Sequence, residues 1–326
     1  MLFIILSLLL YSTPYLQTDS LESRLPSEPQ PKIGYRPVLN KERAKESLTF
    51  IANDLTLGRE SGSSGSLIVA SFLRSRLRYW GVRPFYGESF TQSFIVEEGE
   101  REVIGRNIIG ILPSSLYSER YIIVSAHYDH LGVLGGNIYQ GADDNASGVT
   151  ALLLLAEWFG HQRYLREGPT INIIFALFDA KERNMAGSNY FANHLGVESS
   201  KIVANINIDQ IGSSLAPPGK EKDYLLYTAS EQIKERAKGV LNSVNSRMEA
   251  PLYIDHTFYG SDSFYQIFAK TSDQFSLSKV GIPAIMFTSG ITQHTYKVTD
   301  TPQYIDWSLL LKRSELIYYF ICELIK

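Results

Sequence analysis

Cysteine is almost missing from this sequence. One residue, Cys322, occurs in 326, so no disulfide can form within the chain. It falls in an apolar C-terminal stretch and reads as a buried, inert thiol. An excess of positive charge is missing too. The net charge of −3 leaves no basic footprint, so a nucleic-acid partner is not expected. The N-terminal run Leu2–Leu10, almost unbroken Leu, Ile and Phe, is shorter than the roughly 20 residues that span a bilayer as a helix. It reads as the apolar part of a secretory signal over residues 1–16, although no Lys or Arg precedes it. No cysteine stands close behind it to carry a lipid. The expectation is export to a periplasmic or extracellular space, with no stable membrane anchor after processing. An uncleaved segment would instead hold the chain at the membrane. Internal repeats and low-complexity tracts are absent.

What is present suits one large α/β domain. Hydrophobic residues make up 44% and charged residues 20%, ordinary values for a core of enzyme size. Residues 17–40 carry Pro26, Pro29, Pro31 and Pro37 among polar residues and read as a linker. The domain is expected over 41–326. Helical spacing marks 42–57 and 66–80, with Gly81 as a C-terminal cap. Residues 58–65 are a loop by composition. Strands are predicted at 89–96, 103–112, 121–126, 171–178, 202–208, 224–228 and 284–288. Helices are predicted at 147–159, stopped by Gly160, and at 187–195, 231–244 and 307–325. Strands alternating with helices imply a three-layer α/β/α fold with a mixed, mostly parallel sheet.

The chemistry-bearing residues follow the carboxyl ends of these strands, where open α/β sheets bind ligands. His127 follows the strand at 121–126. Asp179 and Glu182 follow 171–178, and Asp209 follows 202–208. Asp144 opens the helix at 147, at the positive end of its dipole. One histidine with several carboxylates suits zinc. Asp129 is placed to orient the His127 ring.

These residues sit in recognisable strings: His127-Tyr128-Asp129-His130-Leu131-Gly132, Gly141-Ala142-Asp143-Asp144-Asn145-Ala146-Ser147-Gly148, Phe178-Asp179-Ala180, Asn207-Ile208-Asp209, Ser272-Asp273 and Asp300-Thr301-Pro302. Over about residues 41 to 325 the chain resembles the co-catalytic zinc aminopeptidases. That group includes secreted bacterial leucyl aminopeptidases, glutamate carboxypeptidase and glutaminyl cyclase. The resemblance implies two zinc ions bridged by Asp144, with His127 and Asp209 on the first. Glu182 and a late histidine would complete the second, and a glutamate just before Glu182 would be the general base. It also implies a cis Asp144–Asn145 peptide and a peptide substrate, cleaved at its N-terminus by water activated at the metal.

Two positions depart from the pattern. The general-base position is Lys181, and the late-histidine position is Tyr296. A general base contributes about 10²–10⁴ in rate. An ammonium beside Asp144 and Glu182 cannot take that role, because carboxylates favour its charged form. The paired change suggests that Lys181 supplies positive charge where the second ion would sit. His294, or a tyrosinate at Tyr296, is the candidate replacement ligand. One zinc ion is expected, two if a replacement ligand serves. Two other readings remain: a binding protein that keeps the peptidase shape, and a glutaminyl-cyclase-like acyl transferase, which the missing late histidine disfavours.

Blander readings apply elsewhere. Asp143 reads as a structural turn residue, and His130 as loop surface or pocket wall. His161, His194 and His256 carry no partner signal. The glycosylation string at 145–147 reads as a chance match. The aromatic stretch 253–268 reads mainly as packing.

Overall fold

The computed structural model describes residues 36–99 and 101–326. The expected signal segment and most of the expected linker, up to residue 35, lie outside the described residues. A compact unit runs from Pro37 to Lys326. Pro37 is already buried, and the Asn40 side chain caps the first helix by accepting from the Arg43 N–H at 3.0 Å.

In chain order the unit begins with α1 (Lys41–Ile51), α2 (Ser64–Tyr79), β1 (Arg83–Pro84), β2 (Thr91–Glu98) and β3 (Arg101–Leu112). It continues with β4 (Tyr121–His127), β5 (Gly132–Leu134), β6 (Asn137–Tyr139), α3 (Gly148–Tyr164), β7 (Asn172–Phe178) and α4 (Ala186–Asn193). Then come β8 (Ile202–Ile208), β9 (Tyr224–Ala229), α5 (Lys234–Asn245) and β10 (Tyr253–Asp255). It closes with α6 (Asp262–Phe268), α7 (Gln274–Lys279), β11 (Ala284–Thr288) and α8 (Trp307–Leu324).

Nine strands form one sheet in the order β1-β3-β7-β4-β8-β11-β9-β10, with β2 paired to β3. The centre, β7-β4-β8-β11, is parallel. The β1, β2 and β3 pairings and the β11–β9 pairing are antiparallel. The fold is therefore the expected mixed α/β/α sandwich. β7 is buried at every position, as a strand covered on both faces must be. One covering layer joins α1, α3, α5 and α8. The other carries α4 and α7, whose Phe191, Ala192 and Leu277 pack on Ile109, Ile123, Ile174 and Phe178 of the sheet.

Three expectations need correction. The helix expected over 42–57 ends at Ile51, and a separate short 3-10 helix, Asp54–Arg59, follows it. Gly160 does not stop α3, which runs on to Tyr164. A Cβ at Gly160 would meet the Trp80 carbonyl at 2.2 Å, so this glycine lets two backbones approach within a helix. The stretch 253–268 is only partly packing: Phe258 and Phe268 are buried, but Phe264 and Ile267 of α6 are exposed. The short elements β5, β6, β10, α6 and α7 carry too little periodicity to be read from sequence.

Among the described residues, no helix is long and apolar enough to cross a membrane. Cys322 in α8 is partly rather than fully buried, short of the buried thiol expected from its apolar stretch, and desolvation still pushes its thiol up to about 12. A thiolate is the reactive form. The native chain is therefore expected to leave a thiol reagent such as Ellman's unreacted at pH 8, and to release one equivalent of colour in denaturant. Reaction at the native stage would contradict the packing of α8.

Candidate metal centre

β4 and β8 lie side by side, and both end at the same edge of the sheet. This brings His127 and Asp209 together although 82 positions separate them in the sequence. His127 Nε2 stands 3.4 Å from Asp209 Oδ1 and 3.5 Å from Asp144 Oδ1. His127 and Asp144 are fully buried, and Asp209 is nearly so. His127 Nε2, both Asp144 carboxylate oxygens and Asp209 Oδ1 are buried without a hydrogen-bond partner. Buried polar atoms are normally paired, so four orphans around His127 Nε2 ask for a cation. Among the described residues, the ligand atoms that all lie within 4.8 Å of one another are those of His127, Asp144 and Glu182, a set that leaves Asp209 out. A nitrogen and carboxylate oxygens at these separations fit zinc.

Each donor is held from behind. His127 Nδ1 faces the Asp129 carbonyl at 3.3 Å and Asp129 Oδ1 at 3.6 Å. The Asp129 carboxylate also accepts the Lys181 and Glu182 N–H groups at 3.0 and 3.1 Å. It therefore positions the loop after β7 as well as the ring, a double role that exceeds the sequence expectation. Asp209 Oδ2 accepts from the Ser272 hydroxyl at 2.5 Å, which leaves Oδ1 facing the centre. Asp300 accepts the Asp143 and Asp144 N–H groups at 2.8 and 3.0 Å.

The Asp144–Asn145 peptide is cis, as the resemblance implied. The Asn145 side chain donates to the Ile208 carbonyl and accepts from Gly148 and Gln210, locking the Asp144 turn to the end of β8. Asn145 is fully buried, so it is no glycan acceptor. Asp143 accepts from Gly212 at 2.7 Å and from Ser147 at 3.0 Å, the structural role expected of it.

Arg59 belongs to the site and was missed in the sequence. Its guanidinium is fully buried. It donates to the carbonyls of Tyr128 at 2.6 Å, Gly141 at 2.7 Å and Asp144 at 3.1 Å, and to that of Gln140. One side chain thus ties the His127 loop to the Asp144 turn. Burial lowers its pKa to about 10, and it remains charged at neutral pH. Gly58 before it has φ +64°, and a Cβ there would meet the Gly132 and Tyr139 carbonyls at 2.5 Å. Its composition disguised the segment as an ordinary surface loop.

Lys181 is no surface lysine: 7% of it is exposed. Its Nζ donates to Glu182 Oε1 at 3.0 Å and to the Tyr296 hydroxyl at 3.1 Å, and lies 3.8 Å from Asp144 Oδ1. Burial works against its charge, but Asp144, Asp209 and Glu182 outweigh burial and hold its pKa well above the ordinary value. It therefore cannot accept a proton from water. Burial and Asp144 push Glu182 up to about 7, against Lys181 and His127. Burial also opposes the charge of Asp144, yet Lys181 and the two histidines hold its carboxyl well below the usual range. His130 is pocket wall: it is 1% exposed and its ring faces that of Tyr296 at 6.4 Å.

Two candidate donors do not reach the centre. The Asp179 carboxylate is used up by Ser61, Arg106 and Ala180 on the other side of its loop. His294 stacks on Tyr304 at 4.0 Å, and its Nδ1 meets the Thr299 hydroxyl at 2.9 Å. Of the two replacement ligands considered, only Tyr296 lies at the site, and its hydroxyl is engaged by Lys181.

The model of peptidase family M28 matches residues 107–321, the segment that carries His127, Asp144, Glu182, Asp209 and Tyr296. The chain belongs to peptidase family M28. A probable leucine aminopeptidase of Trichophyton verrucosum is 25% identical over 252 residues, covering 74% of this chain. The match spans 64% of the Trichophyton protein, less than two thirds of its length. Among solved structures, a zinc aminopeptidase from Bacillus subtilis aligns with a TM-score of 0.63 at 14% identity, over 89% of this chain and 96% of that one. The glutaminyl cyclase of Porphyromonas gingivalis aligns equally well, with a TM-score of 0.63 at 20% identity over 87% and 98%. At these identities the structures share the fold; the chemistry must be argued from the site.

Proposed function

We propose that this M28 chain is an exported, zinc-dependent hydrolase that removes N-terminal residues from peptides. The observation that carries the reading is the convergence of orphaned donors on His127, Asp144 and Asp209. The names of the relatives supply zinc and aminopeptidase activity as precedents. Bound zinc would act as a Lewis acid on the scissile carbonyl and on the attacking water. The chain's own part is to aim His127 Nε2 through Asp129, to fix Asp144 through Asp300 and Arg59, and to keep Asp209 Oδ1 free through Ser272. Glu182, raised to about 7, is the group here that can exchange a proton near neutral pH. Export rests on the Leu2–Leu10 run alone.

The decisive experiment measures zinc content together with turnover of a panel of aminoacyl reporter substrates. Bound zinc with turnover is the expected result. Lys181 favours a second reading, that of a binding protein, because an ammonium replaces the expected proton acceptor. Zinc without turnover, or neither, would support that reading. The acyl-transferase reading has only the shared fold behind it.

A further inference from the structure

The carboxylates at this edge form two groups that share Asp144. In the first, His127 Nε2 stands 3.5 Å from Asp144 Oδ1 and 3.4 Å from Asp209 Oδ1, and none of the three atoms has a hydrogen-bond partner. In the second, Asp144 and Glu182 already surround a cation. Lys181 Nζ sits 3.0 Å from Glu182 Oε1 and 3.8 Å from Asp144 Oδ1, with the Tyr296 hydroxyl at 3.1 Å and the Tyr296 ring at 5.4 Å. That ammonium is fixed rather than mobile. The N–H groups of Lys181 and Glu182 are both tied to Asp129, which pins the loop where the side chain leaves it.

Distance alone would let Glu182 join the metal. Atoms of His127, Asp144 and Glu182 lie within 4.8 Å of one another. Each carboxylate has one engaged oxygen, Glu182 Oε1 by Lys181 and Asp209 Oδ2 by Ser272. The difference is the donor: a charged ammonium holds Glu182, whereas a neutral hydroxyl holds Asp209 and leaves its Oδ1 beside His127 Nε2. Turning Glu182 to a metal would remove the nearest anion from Lys181 and set a divalent ion beside a buried ammonium. Both changes are unfavourable in a site of low dielectric.

We propose that the centre holds a single metal ion on His127, Asp144 and Asp209. The Lys181 ammonium, clasped by Glu182 and Tyr296, is a permanent cation in the adjoining cage. Glu182 then serves Lys181 and not the metal. The proposal rests on the metal-dependent reading above and departs from the sequence expectation that Glu182 is a metal ligand.

The test uses the full chain stripped by a chelator, then titrated with zinc ions alone and followed by calorimetry and metal analysis. Wild type is expected to bind one zinc per chain. Glu182→Gln should still bind one, with affinity within about tenfold of wild type. Asp209→Asn should lose about 100-fold or more, as expected for a lost ligand when outer partners alone are worth about 10–100-fold. The double variant Lys181→Glu with Tyr296→His opens the second cage and should bind two. Circular dichroism checks that each variant is folded. Two zinc ions on wild type would overturn the single-ion proposal and leave the metallopeptidase reading standing. No zinc on wild type would overturn both. Loss of zinc in Glu182→Gln with retention in Asp209→Asn would show that the donor set is wrong. Should the double variant misfold, the Glu182→Gln and Asp209→Asn comparison still decides.

Discussion

Asp144→Asn should strip the centre of zinc and lower peptide turnover by about 10³-fold or more. The substitution barely changes size, so the packing around residue 144 should survive. Its effect is electrical. Asp144 lies between the two groups of charges, within 3.5 Å of His127 Nε2 and 3.8 Å of Lys181 Nζ. Neither of its carboxylate oxygens has a hydrogen-bond donor. An amide there loses the anion that a divalent ion needs, and puts an N–H donor where a ligand oxygen stood. A bound metal supplies several kcal/mol of transition-state stabilisation, and about 4 kcal/mol corresponds to roughly 10³ in rate. Zinc analysis and steady-state kinetics on the purified variant decide the matter. Full zinc content in Asp144→Asn would mean that the orphaned oxygens face no metal.

Arg59→Met should cost about 4 kcal/mol or more of folding stability and weaken zinc binding by about 10–100-fold. The guanidinium donates to four backbone carbonyls, on Tyr128, Gln140, Gly141 and Asp144, in a fully buried place. Methionine fills the volume and satisfies none of them, although the Gly141 carbonyl keeps the Ala146 N–H at 3.2 Å. Each buried acceptor left unpaired costs about 1–3 kcal/mol, and losses within one network do not simply add. The zinc effect follows because two of the stranded carbonyls flank His127 and Asp144, and outer partners of metal ligands are worth about 10–100-fold in affinity. Arg59→Lys should recover little, since one ammonium cannot span the separations that a planar fork covers. Urea unfolding of the metal-free variants gives the stability term, and zinc calorimetry gives the other. An Arg59→Met chain within about 1 kcal/mol of wild type would show that the clamp is idle.

The two largest effects therefore fall on residues of opposite legibility. Asp144 was visible because it opens a helix straight after a polar turn and follows a strand-end histidine. Arg59 was invisible, since nothing in Gly58-Arg59-Glu60-Ser61 distinguishes a buried clamp from a surface loop. Its partners are backbone carbonyls, and these leave no trace in residue identity. Asp300 stood in a recognised string, but its two partners, the N–H groups of the Asp144 turn, were not readable for the same reason.

Residue types and their order were enough to give the layering and the edge. Apolar runs such as Ile171–Phe178 can only be covered strands, and their carboxyl ends placed His127, Asp179, Glu182 and Asp209 on one rim. Residue identity also gave the departures, because a lysine stands at 181 and a tyrosine at 296 whatever the fold. Only the tertiary structure decided which of these side chains meet. Asp179 and Glu182 leave the same loop after β7, yet one turns to Ser61 and Arg106 and the other towards Lys181. His294 and Tyr296 are two residues apart, yet only Tyr296 reaches the centre. The physical reason is that hydrophobic periodicity fixes where a backbone must lie. The direction of a polar side chain is fixed by partners that arrive from distant segments, and those partners exist only once the sheet has formed.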